Sequence, residues 1–217
     1  MTTGLTIIIA DDHPLFRGAL KQALQGMADE PEVVEAGDFE SARATAERHP
    51  NADLMLLDLA MPGVSGLSGL VILRSEMPSL PVVIVSASDD AATIRRALDL
   101  GASGFISKSA SIDEIRQGIA TVLEGNIYTP DGYERGIEQD AEIGDLINRL
   151  RTLTPQQSRV LSMLAEGLLN KQIAYELGVS EATIKAHVSA ILLKLNVDSR
   201  TQAVIQFGKI GATVAVA

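Results

Sequence analysis

Asp53-Leu54-Met55-Leu56-Leu57-Asp58-Leu59-Ala60-Met61-Pro62-Gly63 is a nearly unbroken apolar run that delivers one carboxylate, Asp58, and then turns at Pro62-Gly63. Such a run reads as a strand covered on both faces, which parallel sheets require. A lone aspartate at the carboxyl end of a buried strand is costly unless something there uses its charge. The plainer alternative is an aspartate capping the following turn. This stretch alone does not separate the two.

Outward from it, similar runs recur at a regular pitch. Leu5 to Ala10 reads as a first buried strand ending in Asp11-Asp12. Pro14 suits the first turn of a helix running to Met27. Glu32 to Ala36 is a short second strand, and Ser41 is placed to cap a helix ending at Arg48. After the opening strand, Gly66 to Met77 reads as helix, Pro81 to Ala87 as strand, and Asp89 to Leu100 as a helix stopped by Gly101. Gly104 to Lys108 is a fifth strand, and Ile112 to Leu123 a fifth helix closed by Gly125. Five strands alternating with five helices predict a doubly wound, five-stranded parallel sheet. Sites in such sheets form outside the carboxyl ends of the strands. Asp11, Asp12, Asp58, Ser86 and Lys108 all land there.

Composition divides the chain. Its 217 residues suffice for two ordinary domains, and no cysteine is present, so disulfides, thiolate metal sites and a cysteine nucleophile are excluded. No signal-peptide pattern opens it and no apolar run reaches membrane-spanning length, so a soluble, cytoplasmic protein is expected, with no membrane partner. Residues 1–148 hold 10 Lys and Arg against 24 Asp and Glu, a net −14, whereas residues 149–217 hold 8 against 4, a net +4. An acidic module followed by a small basic one makes the second a candidate for meeting phosphates.

Three converging carboxylates repel one another and call for a hard cation such as Mg2+. A metal in that place suits phosphate chemistry, with Asp58 as the nucleophile that takes a phosphoryl group. Ser86 would offer a hydroxyl to a phosphoryl oxygen, and Lys108 a positive charge. Individually Ser86 could be a turn residue and Lys108 a surface lysine; as a set they point to chemistry.

Residues 5–128 resemble a response-regulator receiver domain, through Ala10-Asp11-Asp12-His13-Pro14, Asp58 to Gly63, Val85-Ser86-Ala87-Ser88 and Gly104-Phe105-Ile106-Ser107-Lys108. The resemblance implies a flavodoxin-like α/β fold and phosphorylation of Asp58 by a sensor histidine kinase or a small phosphodonor. It also implies Mg2+ held by Asp12, Asp58 and the backbone carbonyl of Ala60, with Asp11 helping through water. Ser86 and Phe105 would form a switch pair, the ring moving inward behind the hydroxyl. Ser109 stands where the family often has a proline with a cis peptide.

The remainder is a linker and a helical module. Residues 129–150 are acidic, with Asp131, Glu134, Glu138, Asp140, Glu142 and Asp145, and a short helix is expected over Glu138 to Leu150. This segment either packs on the basic module or serves as a solvated tether. Thr154-Pro155-Gln156-Gln157 is a helix start with a capping box. Asn170 is placed to cap a two-turn helix through Leu177. Gly178-Val179 then breaks the chain before Ser180 caps a helix to Leu195. Helix, short turn and helix is a helix-turn-helix pattern. On the last of these helices Ile184, Val188, Ile191, Leu192 and Leu195 form the expected buried stripe. Ala182, Lys185, Ala186, Ser189 and Leu193 lie opposite.

Residues 152–208 are similar to the LuxR-type helix-turn-helix, through Leu153-Thr154-Pro155, Asn170-Lys171-Gln172-Ile173-Ala174, Leu177-Gly178-Val179-Ser180, Thr183-Ile184-Lys185-Ala186-His187, Lys194-Leu195 and Arg200-Thr201-Gln202-Ala203. The whole chain thus resembles a NarL/FixJ-family transcriptional regulator. That implies base-facing Lys185, Ala186 and Ser189, with Asn170, Lys171, Thr183 and Lys194 near the phosphates of double-stranded promoter DNA. It implies as well a homodimer when phosphorylated, and no enzyme activity beyond self-modification at Asp58. Expected domains are 1–128, a receiver; 129–150, a linker; and 151–217, an all-α DNA-binding domain. A receiver acting only as a dimerising scaffold, or an aspartyl phosphotransferase, are the alternatives. The second lacks a general-acid carboxylate, since Ala60 stands two residues after Asp58.

Overall fold

The computed structural model describes residues 4–25, 27, 31–64, 66–133 and 141–211. Strand β1 (Thr6–Ala10), helix α1 (Pro14–Gln25), β2 (Glu32–Ala36), α2 (Phe39–Arg48), β3 (Leu54–Asp58), α3 (Ser68–Glu76), β4 (Val82–Ser86), α4 (Ala91–Asp99), β5 (Gly104–Ser107) and α5 (Ile112–Leu123) alternate as expected. All four strand pairings are parallel, in the order β2-β1-β3-β4-β5. The chain order reverses between β1 and β3, the switch point at which such sheets carry their sites.

Every residue of β3 and β4 is buried, which accounts for their continuous rather than alternating apolar character. Ile7, Ile9, Leu54, Leu56, Val83 and Val85 pack on one face with α1 and α5, while Ile8, Met55, Leu57 and Ile84 pack on the other with α2, α3 and α4. Burying each of the four apolar residues of β3 is worth roughly 1.5–3 kcal/mol. That gain offsets the cost of carrying the Asp58 carboxylate to a position only 2% exposed.

Among the described residues five further helices follow: α6 (Ala141–Leu150), α7 (Pro155–Ala165), α8 (Asn170–Glu176), α9 (Glu181–Leu195) and α10 (Arg200–Gly211). The expected linker helix is present from Ala141; its earlier part, with Glu134, Glu138 and Asp140, lies outside the described residues. The Thr154–Gln157 capping box forms as read, Gln157 N donating to Thr154 Oγ1 at 3.3 Å and Thr154 N to Gln157 Oε1 at 3.0 Å. Ile184, Ile191 and Leu195 are buried, whereas Val188 and Leu192 are half-buried at the edge of the stripe. Helices α7 and α10 pack against α3 of the sheet domain, and one apolar cluster runs through both parts.

Two caps differ from expectation. Helix α2 begins at Phe39, two residues before Ser41: Asp38 is its N-cap, accepting from Ser41 N at 2.8 Å, and Ser41 is the reciprocating third residue. Asp38 wins because its carboxylate meets the positive end of the helix dipole as well as the free N–H. Helix α8 is capped not by Asn170 but by Leu169, which has no side-chain acceptor; Gln172 instead accepts from Leu169 N at 2.7 Å. Replacing Asp38 by alanine is expected to cost about 1 kcal/mol of stability, and Ser41→Ala less. Urea denaturation of the two variants checks the order; a larger loss for Ser41→Ala would return the cap to Ser41.

Candidate functional site

The strand ends bring the sequence-selected set together. Asp11 and Asp58 are almost fully buried, and Ser86 is 2% exposed beside them. Lys108 reaches across from the end of β5, its Nζ 2.7 Å from Asp58 Oδ2 and 2.7 Å from Asp11 Oδ2. The contact with Asp58 is an aligned hydrogen bond, whereas that with Asp11 is a charge contact that leaves Asp11 Oδ2 without one. Burial lowers the Lys108 pKa, but the two carboxylates outweigh it and hold the ammonium above the ordinary lysine value. Lys108 is therefore charged throughout the neutral range. Its Nζ also lies 5.0 Å from the centroid of the Phe16 ring.

The backbone fixes how Asp58 presents itself. Ala60 N donates to Asp58 Oδ1 at 3.2 Å while Lys108 holds Oδ2, so the two oxygens are distinguished before any reaction. Lys108 N donates to the Ser86 carbonyl at 2.8 Å, and Ser88 N donates to Ser86 Oγ at 3.1 Å. Above them opens a cavity of about 620 Å3, lined by His13, Phe16, Asp58, Ala60, Ser86 and Lys108 among others. Phe105 is completely buried. No peptide among the described residues is cis, Lys108–Ser109 included.

Asp11, Asp12 and Asp58, with His13, each place a ligand-capable atom within 4.8 Å of the others. Asp12 Oδ1 is buried without an aligned hydrogen bond and has His13 Nδ1 beside it at 2.6 Å, so it can turn to a hard divalent cation if the exposed imidazole moves. The donor set fits such an ion. Two features escaped the sequence reading. His13, which the motif marks only by its place after the acidic pair, has its Nδ1 2.6 Å from Asp12 Oδ1. Ser107 Oγ donates to Asp89 Oδ2 at 2.6 Å and lies 2.7 Å from Ser109 Oγ, tying the loop after β4 to the end of β5. Adjacency to Asp12 was the available signal for His13; the Asp89–Ser107 pair, 18 residues apart, offered none.

A family model described as "Response regulator receiver domain" matches residues 7–120, and one described as "Bacterial regulatory proteins, luxR family" matches residues 151–207. The chain is 44% identical to the Glycerol metabolism activator of Pseudomonas putida, over 95% of this chain and 96% of that protein. It is 35% identical to the nitrate/nitrite response regulator protein NarP of Escherichia coli, over 94% and 95%. This chain is a response regulator of the NarL, NarP and DegU type. The regulator carries a receiver domain and a LuxR-type DNA-binding domain, the combination that serves transcription regulation through DNA. Its fold also aligns with RcsB of Salmonella enterica serovar Typhimurium, bound to a promoter in the presence of the phosphomimetic BeF3−. That alignment has a TM-score of 0.55 and 27% identity, over 94% of this chain and 98% of that one.

On the DNA-binding domain, Thr183, Lys185, Ala186 and Ser189 are all exposed along α9, and Lys171 is exposed on α8. Lys185 Nζ lies 3.0 Å from Glu181 Oε1, an exposed pair one turn apart that is weak enough to exchange for a phosphate or base. Ser180 Oγ accepts from Thr183 N at 3.1 Å, capping the helix at its positive end. Lys194 is set apart: its Nζ donates to the Thr152 carbonyl at 2.6 Å and to Gln157 Oε1 at 2.8 Å. Asn170 is half-buried, with its Oδ1 buried and lacking a hydrogen bond. Among the described residues no helix is long and apolar enough to cross a membrane.

If the carboxylates are held together against their own repulsion, removing one stabilises the metal-free regulator. Asp12→Asn is expected to raise stability in EDTA by about 0.5–1 kcal/mol, read by thermal unfolding. A drop in melting temperature would mean that the Asp12–His13 contact outweighs the repulsion.

Proposed function

We propose that Asp58 is the phosphoacceptor of a two-component system and that its phosphoryl group controls dimerisation and sequence-specific DNA binding. The observation that carries this is the divided Asp58 carboxylate, one oxygen on Lys108 and the other on the Ala60 N–H, facing an open cavity beside two more carboxylates. An Asp58 oxygen attacks the phosphorus of a phosphohistidine on a sensor kinase, or of a small acyl phosphate. The new bond is Asp58 O–P; the donor's N–P or O–P bond breaks and its electron pair leaves with the donor. Asp12, Asp58 and the Ala60 carbonyl would hold Mg2+, with Asp11 supporting it. The ion supplies charge neutralisation at the transferring group. Lys108 follows onto a phosphoryl oxygen, releasing Asp11, and the Ser86 hydroxyl donates to another, with Phe105 filling the space behind it. Acyl-phosphate formation here is self-modification, with no substrate turned over.

The loop that leaves Asp58 leads directly to the DNA-binding domain. Gly63 and Val64 line a cleft of about 380 Å3 against Ser162 of α7 and Val204 and Phe207 of α10. Glu76, at the end of α3, is pushed above the usual carboxylate range by burial, although the Arg43 and Arg159 guanidinium groups oppose this. The DNA-facing side of α9 is exposed in this arrangement, so the restraint falls on α7 and α10 rather than on base reading. Phosphorylation shifts the population toward a released domain that dimerises on promoter DNA. Residues 1–128 act as receiver, 129–150 as linker and 151–217 as the DNA-binding domain, in a cytoplasmic protein. Lys185, Ala186 and Ser189 face bases. Thr183 and Lys171 meet phosphates, joined by Asn170 and Lys194 once Lys194 leaves its internal acceptors.

Incubation with acetyl phosphate and Mg2+ should place an acid-labile phosphoryl group on Asp58 and raise affinity for the cognate promoter. Asp58→Asn should abolish that gain. An unchanged gain would discard the mechanism. Lys185→Ala should weaken specific binding by about 1–3 kcal/mol at fixed salt, with non-specific binding changed far less.

A further inference from the structure

Resting on the reading that the acidic pocket takes a divalent cation, we propose that His13 is a nitrogen ligand to that cation. It turns an all-oxygen site into one that prefers a first-row transition ion such as Mn2+ over Mg2+. The imidazole Nδ1 lies 2.6 Å from Asp12 Oδ1, 3.3 Å from Asp11 Oδ1 and 3.8 Å from Asp58 Oδ2. One atom of the ring thus stands near all three carboxylates, whereas a histidine serving as an ordinary surface counter-ion needs only one. The residue is also tied down from below, since His13 N donates to Asp11 Oδ1 at 2.7 Å. The carboxylate of Asp11 is divided in consequence, Oδ1 turned to His13 and Oδ2 to Lys108. Lys108 and His13 thus take different oxygens of Asp11, while both stand near Asp58 Oδ2, at 2.7 and 3.8 Å.

The chemistry of the donors then sets the preference. Mg2+ takes oxygen ligands and keeps several waters, so a neutral imidazole adds little to its binding. Imidazole nitrogen is a good ligand for first-row transition ions, and affinity for mixed nitrogen and oxygen sites rises along that series. The His13 side chain is 61% exposed, which leaves the ring room to swing its Nδ1 from Asp12 toward an incoming ion. Asp12 Oδ1, without a hydrogen bond of its own, is then a ligand to the same ion.

The test uses the full chain loaded with Mn2+ and read by pulsed electron paramagnetic resonance, in which a directly bound 14N modulates the echo. The chain has only 3 histidines, so the signal is assigned by single substitution. The wild-type regulator is expected to show imidazole nitrogen on Mn2+. His13→Asn should lose it and lower the preference for Mn2+ over Mg2+ by about tenfold, the low end of what disturbing a metal's immediate surroundings costs. Retained Mg2+ binding by that variant shows that it is folded. Mn2+ that is displaced by Asp12→Asn yet carries no nitrogen signal in the wild type overturns the assignment of His13 alone. Binding of both ions that is indifferent to Asp12→Asn overturns the metal site itself.

Discussion

Repulsion among Asp11, Asp12 and Asp58, held together at the β1–β3 switch point, is the constraint on which the rest of the molecule turns. Buried strands supply the energy to hold them there, and Lys108 supplies the countercharge, its Nζ 2.7 Å from both Asp11 and Asp58. A pocket built this way, three carboxylates against one ammonium, is two positive charges short of neutral, and it gains by accepting a cation. It also leaves Lys108 as a movable group, able to exchange a carboxylate partner for a phosphoryl oxygen without leaving the cavity. In the proposed function the same arrangement would serve metal affinity, phosphoryl stabilisation and response.

The loop after β3 joins that chemistry to the second domain. Asp58 ends the strand, Ala60 N holds one of its oxygens, and Gly63 and Val64 form one wall of the cleft that α7 and α10 complete. Few residues separate Asp58, the proposed phosphoacceptor, from the domain boundary. On the far side α9 keeps its polar face exposed, so the proposed control acts through docking and dimerisation.

Much of this was legible in the sequence because it rests on local pattern. Continuous apolar runs in β3 and β4 identify strands buried on both faces, and the residues at their ends are then fixed by topology. Asp11, Asp12, Asp58, Ser86 and Lys108 were found that way and meet in one pocket. What escaped depends on rotamers and on competition between equivalent groups. Asp38 and Ser41 are both good caps, and only the helix start decides between them. Lys194 reads as a free cation until Thr152 and Gln157, distant in sequence, are seen to accept from it. The closeness of His13 to three carboxylates follows from the direction of one side chain, which periodicity does not encode. Residues 134–140, where an acidic linker was expected, lie outside the described residues.

Release of the DNA-binding domain by phosphorylation of Asp58 is tested most directly by an inter-domain distance. The chain has no cysteine, so spin labels can be placed cleanly at Glu47→Cys and Thr201→Cys, both exposed positions. Double electron–electron resonance before phosphodonor treatment should give one narrow distance distribution. After acetyl phosphate and Mg2+ the distribution should broaden and shift, and Asp58→Asn should hold it in place. An identical narrow distribution in the fully phosphorylated protein would contradict release from α3 as the means of control.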